Sequence, residues 1–274
     1  MKPYFSIIIP TLNEERYLPK LLEDLLNQTE KNFEVIVVDG KSTDKTIDVC
    51  KHFMKNIPSK IIISNKRNVA YQRNYGTKFS KGSYLFFLDA DSRISNNFVY
   101  KLKKFIINNK GLLFIPYLTS GASDKKYRTL LDLSNMLAES SIFFDKKFSL
   151  GGSMIIEKNF FGLLGGFNEN LYLAEDHELI QRAHFWGVSP RFLRNIKITA
   201  SFRRFKNEGE IKILYKYIIS TVYRLFSGEI KNKIFSYEMG GQVYKNKKIK
   251  KKGFNYYINE IEKLFNRIKD ELKS

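Results

Sequence analysis

Apolar and polar positions along this chain switch between two periods. Short runs rich in β-branched and aromatic residues, over 5–10, 35–39, 60–64, 84–89 and 112–116, have the length and bounding turn residues of buried strands. Between the first two, Leu18, Leu21, Leu22, Leu25 and Leu26 recur at helical spacing and mark one face of a helix, with Asn13 as its expected N-cap. Ser42, Thr43 or Asp44 is expected to cap a second helix ending near Phe53; a third is expected over 69–79 and a fourth from near Asn96. Beyond Pro116 the pattern loosens, then predicts a helix over 125–139, a strand over 153–157, and a helix over 175–186. That last helix would place Leu179, Ile180, Ala183 and Trp186 on one face and stop at Gly187. Strands alternating with helices in this way predict βαβ units, and hence an α/β fold with a doubly wound, mainly parallel sheet.

The polar residues at the strand ends give that sheet a chemistry. The apolar run from Tyr84 to Leu88 stops at Asp89, Ala90 and Asp91, two carboxylates one residue apart. Buried and unpaired they would be costly. At the carboxyl end of a parallel strand, where open α/β sheets bind ligands, the same pair offers hard oxygen ligands to a divalent cation. The other reading is a turn in which Asp91 and Ser92 cap the following helix. Two earlier strands also end in polar residues, Pro10-Thr11-Leu12-Asn13-Glu14 and Asp39-Gly40-Lys41-Ser42-Thr43-Asp44, so three such ends in one sheet would line one crevice.

The chain of 274 residues is long enough for one large α/β domain with an appendage. It contains no run of some 18 apolar residues, and Met1-Lys2-Pro3 leads straight into a strand, so neither a membrane span nor a signal peptide is expected and a cytoplasmic location is. A single cysteine, Cys50, fits a reducing compartment and a packing role. The net charge is +19, in a chain rich in Lys, Asn, Ile and Phe throughout. Its distribution is more informative: from Ser201 onward there are 18 Lys or Arg against 8 Asp or Glu. The tail contains the cluster Arg203-Arg204-Phe205-Lys206, an amphipathic stretch over 211–226 interrupted by Lys212, Lys216 and Arg224, and a basic run over 245–252. A final helix over 255–272 carries an apolar stripe of Ile258, Ile261, Leu264, Phe265, Ile268 and Leu272. The Arg203 cluster has two readings, a clamp for a donor diphosphate or an acceptor phosphate and a solvated basic turn; for the helices beyond it the readings are cover for the core or a partner, and contact of residues 203–274 with an anionic membrane surface.

Five ordered blocks carry a resemblance. Ser6 to Glu15, Val37 to Asp44, Asn68 to Asn74 with Gly76, Phe87-Leu88-Asp89-Ala90-Asp91, and Gly165-Gly166-Phe167 followed by Glu175-Asp176 resemble the family 2 glycosyltransferases of the GT-A fold, across most of residues 4–190. The resemblance implies a Rossmann-like GT-A domain over 1–206, with a nucleotide-binding half over 1–116 and an acceptor half over 117–206. A basic helical C-terminal region over 207–274 would follow it. It also implies a nucleotide-diphospho-sugar donor of the UDP or GDP type, Mg²⁺ or Mn²⁺, and inversion at the sugar carbon. Pro10, Thr11 and Glu14 match the first nucleotide-contacting loop, Asp39 the acid that reads the base, and Arg73 a basic residue near the nucleotide. Asp89, Ala90 and Asp91 match the DxD motif, with Asp91 the direct metal ligand and Asp89 nearer the ribose or a metal-bound water. Asp176 matches the general base, while Gly166, Phe167 and Glu175 fall where the acceptor is shaped and bound. His177 has two readings, metal or diphosphate contact and a structural helix residue.

Departures from the family pattern narrow these expectations. Gly40 stands where many members have a second acid, which leaves the donor base open. No Gln-x-x-Arg-Trp sequence follows Asp176 and no span could form a channel, so single-sugar transfer to a glycan or lipid-linked acceptor is expected over processive synthesis. Competing classes are a sugar-nucleotide-binding module without catalysis and a basic nucleic-acid-binding protein. The second lacks a recognised binding motif, and acidic strand ends repel phosphate. A nucleotidyltransferase would need a Gly-rich basic first loop where Pro10 to Glu14 stands.

Overall fold

A computed structural model of the chain describes residues 2–143, 152–226, 228–235, 240 and 256. The basic run over 245–252 and the stripe of the expected final helix lie outside the described residues. The chain divides into two compact units, one comprising Met1–Glu169 and Glu175–Ala200, the other Asn170–Ala174 and Ser201–Glu238, apart from segments beyond residue 238.

The first unit is built on seven strands: β1 (Phe5–Thr11), β2 (Phe33–Asp39), β3 (Ser59–Ile63), β4 (Tyr84–Phe87), β5 (Leu113–Ser120), β6 (Met154–Glu157) and β7 (Arg191–Ala200), in the order β3-β2-β1-β4-β6-β5-β7. All pairings are parallel except those of β6, which runs antiparallel between β4 and β5. The mainly parallel, doubly wound sheet expected from the alternation of patterns is therefore present. Its central strands are buried along nearly their whole length, which is why they read as continuous apolar runs.

Helices α1 (Leu18–Leu26), α2 (Thr46–Phe53), α3 (Val69–Thr77), α4 (Phe98–Asn109), α5 (Arg128–Ser140), α6 (Lys158–Leu163) and α7 (Glu175–Phe185) complete this unit. Leu18, Leu21, Leu22 and Leu25 of α1 pack fully buried in one core cluster with β1, β2 and α4; Phe87, Phe161, Phe167, Leu179 and Ile180 belong to a second. Close packing of α3 on the sheet depends on Gly76, where a Cβ would lie 2.7 Å from Ile8 Cγ2 and 2.9 Å from Val38 Cγ2. The second unit contains α8 (Arg203–Glu208) and α9 (Glu210–Phe226). Ile213 and Ile219 of α9 are buried.

Several local expectations need correction. Asn13 does not cap α1, whose N-cap is Tyr17 without a side-chain bond; it adopts φ 54°, donates its N–H to Ser42 Oγ and accepts from the Thr43 N–H, tying two loops together. Neither Asp91 nor Ser92 caps α4, which starts after Asn97. Trp186 is exposed rather than part of the α7 stripe, because the helix ends at Phe185 and Gly187, at φ 73°, turns the chain away with Val188 N–H bonded to Ala183 O. β5 continues past Pro116 to Ser120: proline lacks a ladder donor, and the pairing with β7 shifts there from Pro116↔Leu193 to Tyr117↔Lys197 before resuming. Lys216 of α9 faces inward, its Nζ 2.5 Å from Glu208 Oε2, so it cannot reach a headgroup.

Candidate active site

The strand order reverses at β1, which pairs with β2 on one side and β4 on the other, and the carboxyl ends of strands at such a point are where open α/β sheets bind their ligands. Thr11 and Asp39 are register partners at that edge. Asp39 is buried, and its carboxylate accepts from Thr11 Oγ1 at 3.0 Å, Ser42 N–H at 2.7 Å and Ser42 Oγ at 2.5 Å. Glu14 is also buried, with its N–H on Thr46 Oγ1 at 2.8 Å. Pro10 precedes them, half-buried in β1. Gln72 on α3 stitches the two strand ends together, donating to Thr11 O at 3.0 Å and Val38 O at 2.7 Å. Asn13 and Lys41 both hold left-handed backbone conformations in these adjoining loops, and such departures concentrate where a loop must present itself to a ligand.

The centre of the arrangement is Arg73, only 2% exposed on α3. Its Nη2 lies 2.9 Å from Asp89 Oδ1 and its Nη1 2.7 Å from Glu175 Oε1, while Cζ sits 5.4 Å above the Phe167 ring. Residues from α3, the end of β4 and the start of α7 thus meet around one guanidinium. Gly152 gives it room: a Cβ there would lie 2.0 Å from Nη2. Burial alone would lower the Arg73 pKa, but Asp89, Glu175 and Asp176 outweigh it and raise it, so this cation is permanent. Glu175 moves up from the ordinary carboxylate value, chiefly through burial and further through Asp176 and Asp89, with Arg73 pulling the other way. Asp176 is buried beside it, with His177 Nε2 at 3.8 Å from its Oδ2.

The Gly165-Gly166-Phe167 loop is fixed from both sides. Asn74 Oδ1 accepts the Phe167 N–H and Nδ2 donates to Phe167 O, each at 2.8 Å, and Nδ2 also reaches Glu169 Oε1 at 3.0 Å. Gly166 holds φ 77°, and a Cβ would come within 2.8 Å of Asn74 Oδ1, so the position suits glycine twice over. Arg182 of α7 donates to Gly166 O at 2.6 Å and to Leu164 O, while Glu178 holds its guanidinium. After Ala90, which is buried, the chain turns with Ser92 N–H on Asp89 O and is anchored by Arg93, bidentate to Asp24 at 2.6 Å and bridged to Thr199. This turn leaves Asp89 and Asp91 partly open.

Arg73 is paired with Asp89 and Glu175, and Asp91 stands partly open two residues beyond Asp89. Among the described residues there is no group of three or more His, Cys, Asp or Glu placed to hold a metal by themselves. The pair Asp89 and Asp91 could hold Mg²⁺ or Mn²⁺ together with phosphate oxygens of a bound donor, since Mg²⁺ is usually bound by one or two carboxylates plus substrate phosphates rather than by an all-protein cage. Asp91 and Asp89 are the residues that would hold it.

Gln72, Arg182, Gly152 and the Asp24–Arg93 pair were not singled out in the sequence. Nothing in their spacing marks them, since each acts on backbone or a partner far away in the chain.

The model of the family described as Glycosyl transferase family 2 matches residues 6–163. Among curated proteins, the chain is 36% identical over 110 residues to the minor teichoic acid biosynthesis protein GgaB of Bacillus subtilis, covering 39% of this chain and 12% of that one. It is 41% identical over 103 residues to the Methanococcus voltae protein named dolichyl N-acetyl-alpha-D-glucosaminyl phosphate 3-beta-D-2,3-diacetamido-2,3-dideoxy-beta-D-glucuronosyltransferase, covering 35% and 32%. The chain thus spans about an eighth to a third of the length of these relatives. Among solved structures, S. aureus TarS with UDP-GlcNAc superposes with TM-score 0.60 at 20% identity, covering 81% of this chain and 67% of that one. The mannosyltransferase PcManGT of Pyrobaculum calidifontis, with GDP-Man and Mn²⁺, gives 0.62 at 17% identity, covering 81% and 65%. The fold is that of these GT-A glycosyltransferases. Because the match runs through β1, β2 and the Asp89-Ala90-Asp91 turn that build the crevice and extends over more than half of the chain, this protein belongs to glycosyl transferase family 2.

Proposed function

We propose that the chain transfers a single sugar, with inversion, from a UDP- or GDP-linked donor to an acceptor hydroxyl. The observation that carries this reading is the convergence of Asp89, Glu175 and Asp176 on buried Arg73, which brings a diphosphate-side carboxylate and a candidate base into one rigid group. In the proposed division, residues 1–116 bind the nucleotide, 117–206 shape the acceptor site, and 207–274 form a separate basic region.

Pro10, Thr11, Glu14 and Asp39 face the nucleoside in this scheme. Three internal donors orient Asp39, and of the roughly four acceptor positions of a carboxylate one remains for a ring N–H. A divalent cation on Asp91 and Asp89 would offset charge on the leaving diphosphate. Arg73 holds Asp89 in place and keeps Glu175 at the acceptor side. Asp176 takes the proton of the acceptor hydroxyl as its oxygen bonds to the anomeric carbon, and the bond to the diphosphate breaks with its electron pair leaving on the nucleotide. Gly166 and Phe167 form the acceptor wall, held by Asn74 and Arg182. The names of the B. subtilis and M. voltae relatives support a cell-surface glycan precursor or a lipid-linked sugar as acceptor, and a cytoplasmic location is part of the proposal.

Calorimetric titration with UDP and then GDP, each with and without Mn²⁺, tests the donor half without knowledge of the acceptor. Metal-dependent binding of one nucleotide is expected, weakened at least about tenfold by Asp91→Ala, which corresponds to about 1.4 kcal/mol. Binding of neither nucleotide, or metal dependence unchanged in the variant, overturns the donor assignment.

A further inference from the structure

Helix α5 is amphipathic in the unexpected direction. Its inward side carries Asn135, which clamps β5 by accepting the Leu118 N–H at 2.9 Å and donating to Leu118 O at 2.8 Å, and the small residue Ala138. On the side turned away from these lie Leu130, Leu133, Met136 and Leu137, the last three 55%, 62% and 55% exposed, with the exposed Phe143 beyond the helix end. Four large apolar side chains spaced by three and four residues therefore form one outward stripe. An isolated exposed leucine needs no explanation, but a contiguous apolar face marks an interaction surface.

Charge selects the occupant. Lys125, Lys126 and Arg128 are exposed at the start of the stripe, against the one exposed acid Asp132 within the helix; Arg194, near its end, is neutralised by Glu139. A second copy of a chain carrying +19 would be repelled by the same field that attracts a negative surface. We propose that the α5 face docks on an anionic lipid bilayer, with Leu130, Leu133, Met136 and Leu137 seated among the acyl chains and the flanking cations at the headgroups. This surface belongs to the first unit, whereas the sequence had suggested membrane contact for residues 203–274. It rests on the exposure and charge of α5 and is independent of the proposed transfer reaction.

Flotation of the full chain with phosphatidylglycerol vesicles and with phosphatidylcholine vesicles tests it. The double variant Leu133→Gln/Leu137→Gln is compared with Leu214→Gln/Ile218→Gln, which alters exposed apolar residues of α9. Circular dichroism confirms that each is folded. Preferential binding to the anionic vesicles is expected, about tenfold weaker in the α5 variant and retained in the α9 variant. Equal binding to neutral vesicles, undiminished binding by the α5 variant, or loss in the α9 variant alone overturns the proposal. So does absence of vesicle binding by a wild-type dimer that the α5 variant renders monomeric, because the face would then serve a second copy.

Discussion

At the scale of single residues, the site is organised around an internal cation rather than around its carboxylates. Arg73 pairs with two of them, and removing Glu175, the buried partner, is expected to cost about 3–5 kcal/mol, while loss of the more exposed Asp89 costs less. Gly152 offers a gentler probe. Gly152→Ala places a methyl group 2.0 Å from Arg73 Nη2, so the guanidinium must shift off Asp89. The expected outcome is a loss of about 1–3 kcal/mol in urea unfolding, accompanied by weaker nucleotide binding; wild-type affinity in a folded variant would show that the Arg73–Asp89 contact does not govern the donor side. Asp176→Asn keeps the size of the proposed base and removes its basicity. Transfer should fall by about 10²-fold or more with donor binding retained, and near-normal turnover in a radiolabel-transfer assay would remove Asp176 from that role.

At the scale of elements, the positions proposed to carry the chemistry sit on strand ends, at the start of α7 and in the middle of α3, and packing behind them holds the geometry. The four buried leucines of α1 and the tight contact of Gly76 with Ile8 and Val38 fix the helices against the sheet, so that α3 can deliver Gln72, Arg73 and Asn74 to three different neighbours. In the second unit, Glu208 on α8 receives both Lys212 and Lys216 of α9, at 2.9 and 2.5 Å. Burial pushes the Lys216 ammonium below its ordinary value and Glu208 pushes it back up, the former prevailing. A lysine lowered in the folded state destabilises that state when charged, and the penalty disappears as pH rises through the window between its folded value and the ordinary 10.5. Glu208→Gln removes the carboxylate that Lys212 and Lys216 share and should cost about 3–5 kcal/mol, whereas Glu208→Gln combined with Lys216→Met should recover most of that loss. Chemical denaturation of the single and double variants checks it, and an unchanged midpoint in Glu208→Gln would mean that the pair contributes nothing to this unit.

At the scale of the whole molecule, +19 is a property of the field and not of the site. Attraction of polyanions to such a chain is expected to weaken by orders of magnitude between low and moderate salt through counterion release, while metal-assisted nucleotide binding in a crevice should change far less. Parallel titrations with duplex DNA and with the preferred nucleotide at two salt concentrations distinguish the two. A nucleotide affinity that collapses in step with DNA binding would return the basic nucleic-acid reading. Among the described residues no helix is long and apolar enough to cross a membrane; the contact proposed for α5 is a surface one.

Much of the scaffold was legible because it obeys simple periodicities: a buried parallel strand is an apolar run, and α1 repeats leucine at helical spacing. The carboxylates were legible for a related reason, since charge placed directly after a buried strand needs a purpose, and the five ordered motif blocks named the family. Boundaries followed less well where backbone chemistry intervened, at Pro116, which interrupts a ladder and lets it resume, and at Gly187, which turns Trp186 out. Sequence alone determined the fold class, the strand-end carboxylates and the excess of positive charge, all of which depend on local pattern or on a sum. Tertiary structure decided that Arg73 binds Asp89 and Glu175, that Asn13 ties loops instead of capping a helix, that Lys216 points inward, and that α5 turns its leucines outward. Each of these depends on which distant residue a side chain meets, and linear spacing does not encode that distance.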